Sequence, residues 1–230
     1  MAQNDRYNEE TISQAINTKW AGKTVHFAKE TDSTNSWIKR LAKEGAEHGT
    51  LAVAEFQSAG RGRFDRKWEA PEGSSIMMTL LLRPEFSPQY ASMLTLVMGL
   101  AVAQAVEELG FEVSIKWPND VVISRKKICG ILTEMGTNGV KINYVLIGVG
   151  INVNLKEFPE EMQGLNNLFL NCSSFLCHNS LKITLLPFSC LRQSSCGPYG
   201  YVRCSWSTDR EREDPGGDGC RGSSRYPSGA

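Results

Sequence analysis

One alternating run, Gly148-Val149-Gly150-Ile151-Asn152-Val153-Asn154, constrains the fold more than any other part of the sequence. In a β-strand, successive side chains point to opposite faces, so the three β-branched residues share one face and the glycines and asparagines share the other. A strand buried beside a crowded neighbour would explain the glycines but not the asparagines. The run therefore predicts a core strand whose second face is bare backbone followed by two amides, which suits a flat ligand such as a nucleotide base.

Around this strand the sequence predicts an α+β domain with a mixed β-sheet flanked by helices. Helices are expected at residues 11–20, just after residue 35, and at 91–109, where Gly110 follows as the expected stop signal. The 93–106 stretch is strongly apolar but too short to span a bilayer, so we interpret it as a buried helix. Strands are expected at residues 24–28, 51–56, 75–82, 112–117, 121–124, 128–134 and 142–154.

The charge balance excludes several function classes. Lys plus Arg and Asp plus Glu are equal at 25 each, which gives no basis for a general nucleic-acid or membrane-surface binder. The first ten residues are polar, with no apolar segment of a secretory signal behind them. We therefore expect a cytoplasmic protein whose cationic sites are local.

The loop Gln57-Ser58-Ala59-Gly60-Arg61-Gly62-Arg63 is the first candidate for chemistry. Glycines let backbone N–H groups approach an anion while the alternating guanidinium groups hold it. An exposed basic turn or an RNA contact of the Arg-Gly type would look the same. The loop is not a P-loop, because the G-K-[S/T] ending is absent.

Two further runs place lysines at strand ends. In Lys116-Trp117-Pro118-Asn119-Asp120, alternation puts Lys116 on the face opposite Val113, Ile115 and Trp117, and Asn119-Asp120 is a turn pair. A lysine held there beside a carboxylate suits a phosphate, although a salt-bridged strand end is the plainer interpretation. In residues 126–132, alternation places Ile128, Gly130 and Leu132 on one face. A glycine within a strand indicates close approach by a ligand or backbone, or else a bulge.

The turn Asp32-Ser33-Thr34-Asn35 has the composition of a helix N-cap. The same turn could present hydroxyl and backbone N–H groups to a polar ligand.

Together, and in this order, the five runs resemble the signature of biotin protein ligases over residues 22–162. That family shows an S-T-N turn, a Q-x-x-G-R-G-R loop, a K-W-P-N-D element, a K-x-x-G-I strand and a G-I-N strand. The resemblance implies a catalytic domain with the class II aminoacyl-tRNA-synthetase-like fold. It also implies ATP and Mg²⁺ as cofactors, biotinyl-5′-AMP as the intermediate, and a lysine of a biotin carboxyl carrier domain as the acceptor.

The resemblance also assigns expected roles to matching positions. Lys116 and Arg63 are the expected catalytic residues, and no metal ligands are assigned. The expected biotin-binding residues are Ser33, Thr34, Asn35, Gln57, Arg61, Gly62, Arg63 and Lys127. The expected ATP-binding residues are Trp68, Lys116, Asn119 and Asn152.

Three other functions stay open at this point. A lipoate or octanoate ligase of the same fold is disfavoured because the G-R-G-R and K-W-P-N-D elements occur together in the biotin form. A non-catalytic biotin-binding remnant is the second. An RNA-binding module built on residues 60–66 is the third, and the neutral net charge argues against it.

We expect three regions: an N-terminal extension at 1–21, a biotin- and ATP-binding domain at 22–163, and an irregular tail at 164–230. Because the extension is short, we expect no DNA binding, and the resemblance allows a homodimer. The tail holds six of the seven cysteines in irregular spacing and shows no periodicity. We interpret it as a disordered, frameshifted translation product that impairs activity, and not as a zinc site.

Overall fold

A computed structural model describes residues 8–153 of the chain and the backbone of residues 201–203. The helices are α1 (Glu9–Ala15), α2 (Thr34–Lys43) and α3 (Met93–Glu107). The strands are β1 (Val25–Thr31), β2 (Leu51–Gln57), β3 (Ser75–Leu82), β4 (Ser114–Lys116), β5 (Asp120–Ile123), β6 (Lys126–Thr137), β7 (Ile142–Asn152) and β8 (Tyr201–Arg203).

The strands form one sheet in the order β1-β2-β3-β7-β6-β5-β4-β8. The β1–β2 pair is parallel and the other pairs are antiparallel. This mixed sheet with helices packed on it confirms the expected α+β class.

Two helices cover opposite faces of the sheet. On one face, α3 packs against β4 to β7 over the larger hydrophobic cluster, which includes Met98, Val106, Ile147 and Val149. On the other face, α2 packs against β2, β3 and β7 over a smaller cluster around Ile38 and Leu146. The smaller cluster covers only part of its face, and the glycine positions of β7 lie beyond it on that face.

The long β6–β7 hairpin fixes which residues face each other in the centre of the sheet. Gly130 pairs with Gly150 and Leu132 with Gly148, so two glycines lie directly opposite one another. The turn at the end of the hairpin is held by Asn138, whose Oδ1 accepts hydrogen bonds from the backbone N–H of Val140 at 3.2 Å and of Lys141 at 2.8 Å. Gly139 in this turn has φ +93°, a conformation that L side chains rarely adopt.

The expected buried helix is confirmed within its predicted limits of 91–109, since α3 spans Met93–Glu107. A short 3-10 turn at Pro88–Tyr90 leads into α3, and the stretch Pro88–Glu107 is 20 residues long with a mean hydropathy of 1.4. By length and composition alone it could cross a membrane. In this fold seven of the residues of α3 are buried against the sheet, as expected for the core helix of a globular domain.

Several local expectations need correction. The first helix spans Glu9–Ala15 and not 11–20. Trp117 does not share the buried face of Ile115: β4 ends at Lys116, and the Trp117 side chain is 66% exposed. Ile128 is skipped where β5 pairs with β6, a bulge that breaks the expected alternation with Gly130, and its side chain lies in the larger cluster.

The expectations for Asn154, for residues 1–7 and for most of the tail lie outside the described residues. Within the described part of the expected extension, Ile16, Trp20 and Ala21 pack against the larger cluster.

Candidate active site

A pocket of about 460 Å³, including the part open to solvent, lies between α2, the loop of residues 58–68 and the β6–β7 hairpin. The loop of residues 58–68 is called the basic loop. It brings together residues that are distant in sequence. Those lining it are Ser33, Thr34, Asn35, Gln57, Arg61, Gly62, Arg63, Trp68, Asn119, Lys127, Gly130, Ile131, Leu132, Gly148, Val149 and Gly150. Each expected biotin-binding residue is therefore at the pocket, as are Trp68 and Asn119 of the expected ATP-binding set.

The N-terminus of α2 forms one wall. Ser33 occupies the N-cap position, but its side chain makes no capping hydrogen bond. Gln57 serves this end of the helix instead: its Oε1 accepts from the backbone N–H of Thr34 at 2.7 Å and lies 3.0 Å from Thr34 Oγ1. The expected cap is thus correct in position, while the capping group comes from the end of β2. This leaves the buried Ser33 hydroxyl for another partner.

A chain of buried polar groups continues from this wall. The hydroxyls of Thr34 and Thr79 are 2.8 Å apart, and Thr79 Oγ1 donates to Asn35 Oδ1 at 2.6 Å. Asn35 Nδ2 then donates to Glu134 Oε2 at 2.8 Å. Because the first three side chains are at most 4% exposed, the chain fixes their orientation in the pocket wall.

The turn before α2 is anchored from outside the pocket by an ion pair. Arg40 donates to both carboxylate oxygens of Asp32, at 2.8 and 3.0 Å. These hydrogen bonds lower the pKa of Asp32 well below its ordinary value, partial burial opposes them, and the backbone N–H of Ser33 lowers the pKa further. Asp32 is therefore a carboxylate at neutral pH and holds Ser33 at the pocket.

The basic loop lines the pocket through Arg61, Gly62 and Arg63. Arg61 Nη1 lies 3.1 Å from Glu134 Oε1, and Arg63 Nη1 donates to Asn119 Oδ1 at 2.8 Å. Between them and the next strand, Phe64 and Asp65 both have positive φ angles, 56° and 57°. Both guanidinium groups of the loop therefore contact neighbouring elements. The Phe64 side chain, by contrast, is exposed.

The floor of the pocket is formed by an indole ring that packs directly on bare backbone, and the part of the pocket beside this ring is called the slot. Trp68 lies over two facing glycines: a β-carbon at Gly150 would be 2.5 Å from its Cε2, and one at Gly130 would be 3.1 Å from its Cζ3. The indole Nε1 is buried and has no acceptor among the described residues. Glycine at these two positions is what allows a flat aromatic group to reach the strands.

Lys127 provides a third cation beside the slot. Its Nζ lies 5.7 Å from the Trp68 ring centroid and 2.9 Å from Asp120 Oδ1. Since neither side chain of this ion pair is more than 30% exposed, the pair is only partly screened by water. Arg61, Arg63 and Lys127 thus form a cluster of three cations, each already in contact with a protein oxygen.

Two expected ATP-binding residues are not among those lining the pocket. Lys116 ends β4 with its side chain exposed, and it lies opposite Asp120 in the strand register. Asn152 is buried two residues beyond Gly150, with its Oδ1 3.5 Å from Ser75 Oγ. Their expected roles stay predictions.

The one cysteine in the described region, Cys129, has no chemical role that the geometry supports. Complete burial raises the pKa of its thiol to about 12. The thiol is therefore protonated at neutral pH and is not a nucleophile.

The sequence reasoning missed Thr79 and Glu134 as parts of the site. Glu134 continues the alternation of Gly130 and Leu132 on the pocket face of β6, so the strand period could have identified it. Thr79 lies in a continuous apolar strand with no local signal of its contacts.

Comparison with known proteins agrees with this geometry. Residues 27–152 match the model of the biotin/lipoate A/B protein ligase family. The bifunctional ligase/repressor BirA of Bacillus subtilis is 40% identical over 163 residues, covering 70% of this chain and 50% of the relative. The biotin–[acetyl-CoA-carboxylase] ligase of Mycobacterium tuberculosis is 37% identical over 155 residues, covering 65% of this chain and 56% of the relative. The chain thus spans about half the length of the curated relatives it matches.

Solved structures show the same likeness. The biotin protein ligase of Aquifex aeolicus in complex with biotin and ATP superimposes with a TM-score of 0.55 at 38% identity, covering 64% of this chain and 59% of that one. The biotin protein ligase of Leishmania major in complex with biotinyl-5-AMP gives a TM-score of 0.55 at 25% identity, covering 65% and 64%.

Proposed function

Because this chain belongs to the biotin/lipoate A/B protein ligase family, we propose that it activates biotin with ATP and transfers it to a protein lysine. The observation that carries the proposal is a pocket with two distinct parts: a buried hydrogen-bonding wall on α2, and a cation-lined slot beside the indole of Trp68. The first part suits a small polar ring, and the second suits a phosphate and a flat base.

The polar wall supports a neutral head group such as the ureido ring of biotin. Thr34, Asn35 and Gln57 offer hydroxyl and amide groups held in place by the hydrogen-bond chain. The buried Ser33 hydroxyl lies beside them. A ring with N–H donors and a carbonyl acceptor can pair with this set, so its transfer from water leaves few polar groups unpaired.

The slot supports the nucleotide. An adenine ring can pack beside the indole of Trp68, which lines the pocket and is itself supported by the bare backbone of Gly130 and Gly150. We propose that Asn152, at the end of the same strand face, contributes to recognition of the base. The buried Nε1–H of Trp68 is one donor that a bound acceptor would satisfy.

The cation cluster supports the first chemical step. The carboxylate of biotin attacks the α-phosphorus of ATP, forming the C–O–P bond of biotinyl-AMP while pyrophosphate leaves with the electron pair of the broken P–O bond. Two anions must approach each other for this step. Arg61, Arg63 and Lys127, with Lys116 as a proposed fourth cation, reduce that repulsion and stabilise the charge that develops on the phosphate oxygens.

We propose Mg²⁺ as the ion that accompanies the ATP phosphates, where it neutralises phosphate charge. The described residues contain no group of three or more His, Cys, Asp or Glu placed to hold a metal. Mg²⁺ is commonly held by one or two carboxylates together with substrate phosphates. The carboxylate of Asp120, which contacts Lys127 at the edge of the slot, fits that pattern.

In the second step the ε-amino group of the acceptor lysine attacks the mixed anhydride, forming an amide bond and releasing AMP. The basic loop over the opening limits water access to this reactive intermediate. We propose a biotin carboxyl carrier domain as the acceptor, since curated relatives are named for acetyl-CoA carboxylase. A cytoplasmic location and a homodimer remain part of the proposal.

Calorimetric titration of the purified full chain with biotin, with and without Mg·ATP, tests the proposal. We expect saturable binding of biotin and a biotinyl-AMP mass peak when both substrates are present. Lipoate in the same assay is the matched control and should give no adenylate. Adenylate formed only from lipoate would assign the chain to the other branch of its family. Binding of biotin without adenylate would identify a non-catalytic remnant, and no binding by folded protein would refute the proposal.

A further inference from the structure

Glu134 uses both carboxylate oxygens to connect two sides of the pocket. Its Oε2 accepts a hydrogen bond from Asn35 Nδ2 at 2.8 Å, and its Oε1 lies 3.1 Å from Arg61 Nη1. The side chain is 20% exposed, and the strand period places it on the same face of β6 as Gly130 and Leu132. One carboxylate therefore contacts both the polar wall and the basic loop.

We propose that Glu134 is a positioning residue that holds Arg61 and competes for it with an anionic ligand. The proposal rests on the proposed function, because it identifies the ligand group that displaces Glu134 as a carboxylate or phosphate. Glu134 also sets the orientation of Asn35, which in turn fixes the hydroxyl of Thr79.

The hydrogen-bond directions support the second role. An ionised carboxylate can only accept, so it selects the orientation in which the Asn35 amide nitrogen faces Glu134. Asn35 Oδ1 then faces Thr79 and accepts its hydroxyl proton at 2.6 Å. The backbone carbonyl of Leu132, which accepts from the same nitrogen at 3.4 Å, favours the same orientation, so Glu134 acts together with it.

The electrostatic argument supports the first role. The charge of Arg61 is partly neutralised by Glu134, and the pair holds the basic loop against β6. A ligand carboxylate entering the pocket gains less from Arg61 than it would if Glu134 were neutral, and it also meets the negative charge of Glu134. An uncharged ligand of the same shape meets neither effect. Glu134 therefore lowers the affinity of the pocket for anions and keeps the basic loop ordered against β6.

The variant Glu134→Gln removes the charge and keeps the shape. Biotin and biotin methyl ester are the two probes, and the ratio of their dissociation constants is the readout. We expect the variant to bind biotin about two- to fivefold more tightly relative to the ester than the unmodified chain does. Hydrogen exchange of the backbone amides of residues 58–68 should become faster in the ligand-free variant. Glu30→Gln, an exposed glutamate on β1, is the matched control and should change neither.

A double variant tests whether the effect of Glu134→Gln on ligand binding depends on Arg61. In an Arg61→Ala background the competition for the guanidinium group is absent and only the direct repulsion by Glu134 remains, so adding Glu134→Gln should change the biotin-to-ester ratio less than it does in the unmodified chain. An unchanged ratio in Glu134→Gln itself, equal weakening of both probes, or unchanged exchange in residues 58–68 would overturn the proposal. If the unmodified chain binds neither probe, the proposed function fails, while the exchange measurement still decides whether Glu134 restrains the loop.

Discussion

Trp68 and Gly150 are in direct contact across the pocket floor, so closely that a β-carbon at position 150 would lie 2.5 Å from indole atoms Cε2 and Cζ2. Gly150→Ala should therefore displace the indole and narrow the slot. We expect ATP affinity to fall about tenfold or more, with a destabilisation of about 1–3 kcal/mol from overpacking. Calorimetric titration with ATP and chemical unfolding measure the two effects. Unchanged ATP affinity in a folded variant would show that the slot is not the nucleotide site.

Gly99→Ala is the matched glycine substitution outside the pocket. Gly99 lies within α3, and a β-carbon there would meet its nearest neighbour, Ile131 Cδ1, at an ordinary contact distance of 3.6 Å. Alanine favours the helical backbone over glycine, so we expect the variant to be more stable by about 0.5–1 kcal/mol with unchanged ligand binding. Thermal unfolding followed by circular dichroism measures the gain. A loss of stability would mean that the helix–sheet packing is tighter than this distance indicates.

Lys127 and Asp120 form an ion pair at 2.9 Å. The effects of substituting the two residues on the free energy of unfolding should therefore not add. Lys127→Met leaves the Asp120 carboxylate unpaired beside the slot, and we expect it to cost about 1–3 kcal/mol in the free energy of unfolding. The double variant with Asp120→Asn should recover part of that cost, because the unpaired charge is removed. Adenylate formation should be reduced in both, since the pocket cation is absent. Additive unfolding energies would show that the two side chains do not interact in solution.

The Asp32–Arg40 ion pair predicts a pH dependence of stability. The folded-state pKa of Asp32 is lowered from an ordinary value of 3.8, so its contribution is fully present above that value. It is lost as the pH falls from about 4 toward the lower folded-state pKa. The stability difference between the unmodified chain and Asp32→Asn should be constant from pH 5 to 8 and shrink below pH 4. Chemical unfolding across this range measures it, and Glu30→Gln should show no such trend. A difference that grows on acidification contradicts the assignment.

Short-range patterns allowed much of the fold to be predicted from the sequence. Strand β3 matches its expected limits of 75–82, because a continuous apolar run bounded by Ser74 and Arg83 has few other solutions. The glycine face of β7 follows from the two-residue period, and the contacts of Gly148 and Gly150 with Asn35 and Trp68 confirm it. The resemblance of the separated motifs to a family signature identified ten of the residues that line the pocket, whereas Lys116 and Asn152 do not line it.

Other features depend on contacts that no local pattern encodes. Gln57 takes over the capping of α2 from Ser33 because β2 ends beside the helix, which only the assembled sheet determines. The bulge at Ile128 arises from the pairing of β5 with β6 and not from the composition of either strand. Trp117 follows the strand alternation in sequence but lies beyond the last paired residue, so the period no longer applies to it.

The turn held by Asn138 has a consequence for the pocket, although the two are about eight residues apart along β6, roughly 25 Å. Hairpin register is set by the turn, and a slip by one residue moves every side chain of a strand to the other face. After such a slip Gly130 would face Ile151 or Val149 instead of Gly150. A branched side chain would then lie where Gly150 now contacts Trp68. Heritable variation in a solvent-exposed turn can therefore abolish ligand binding while leaving every pocket residue unchanged.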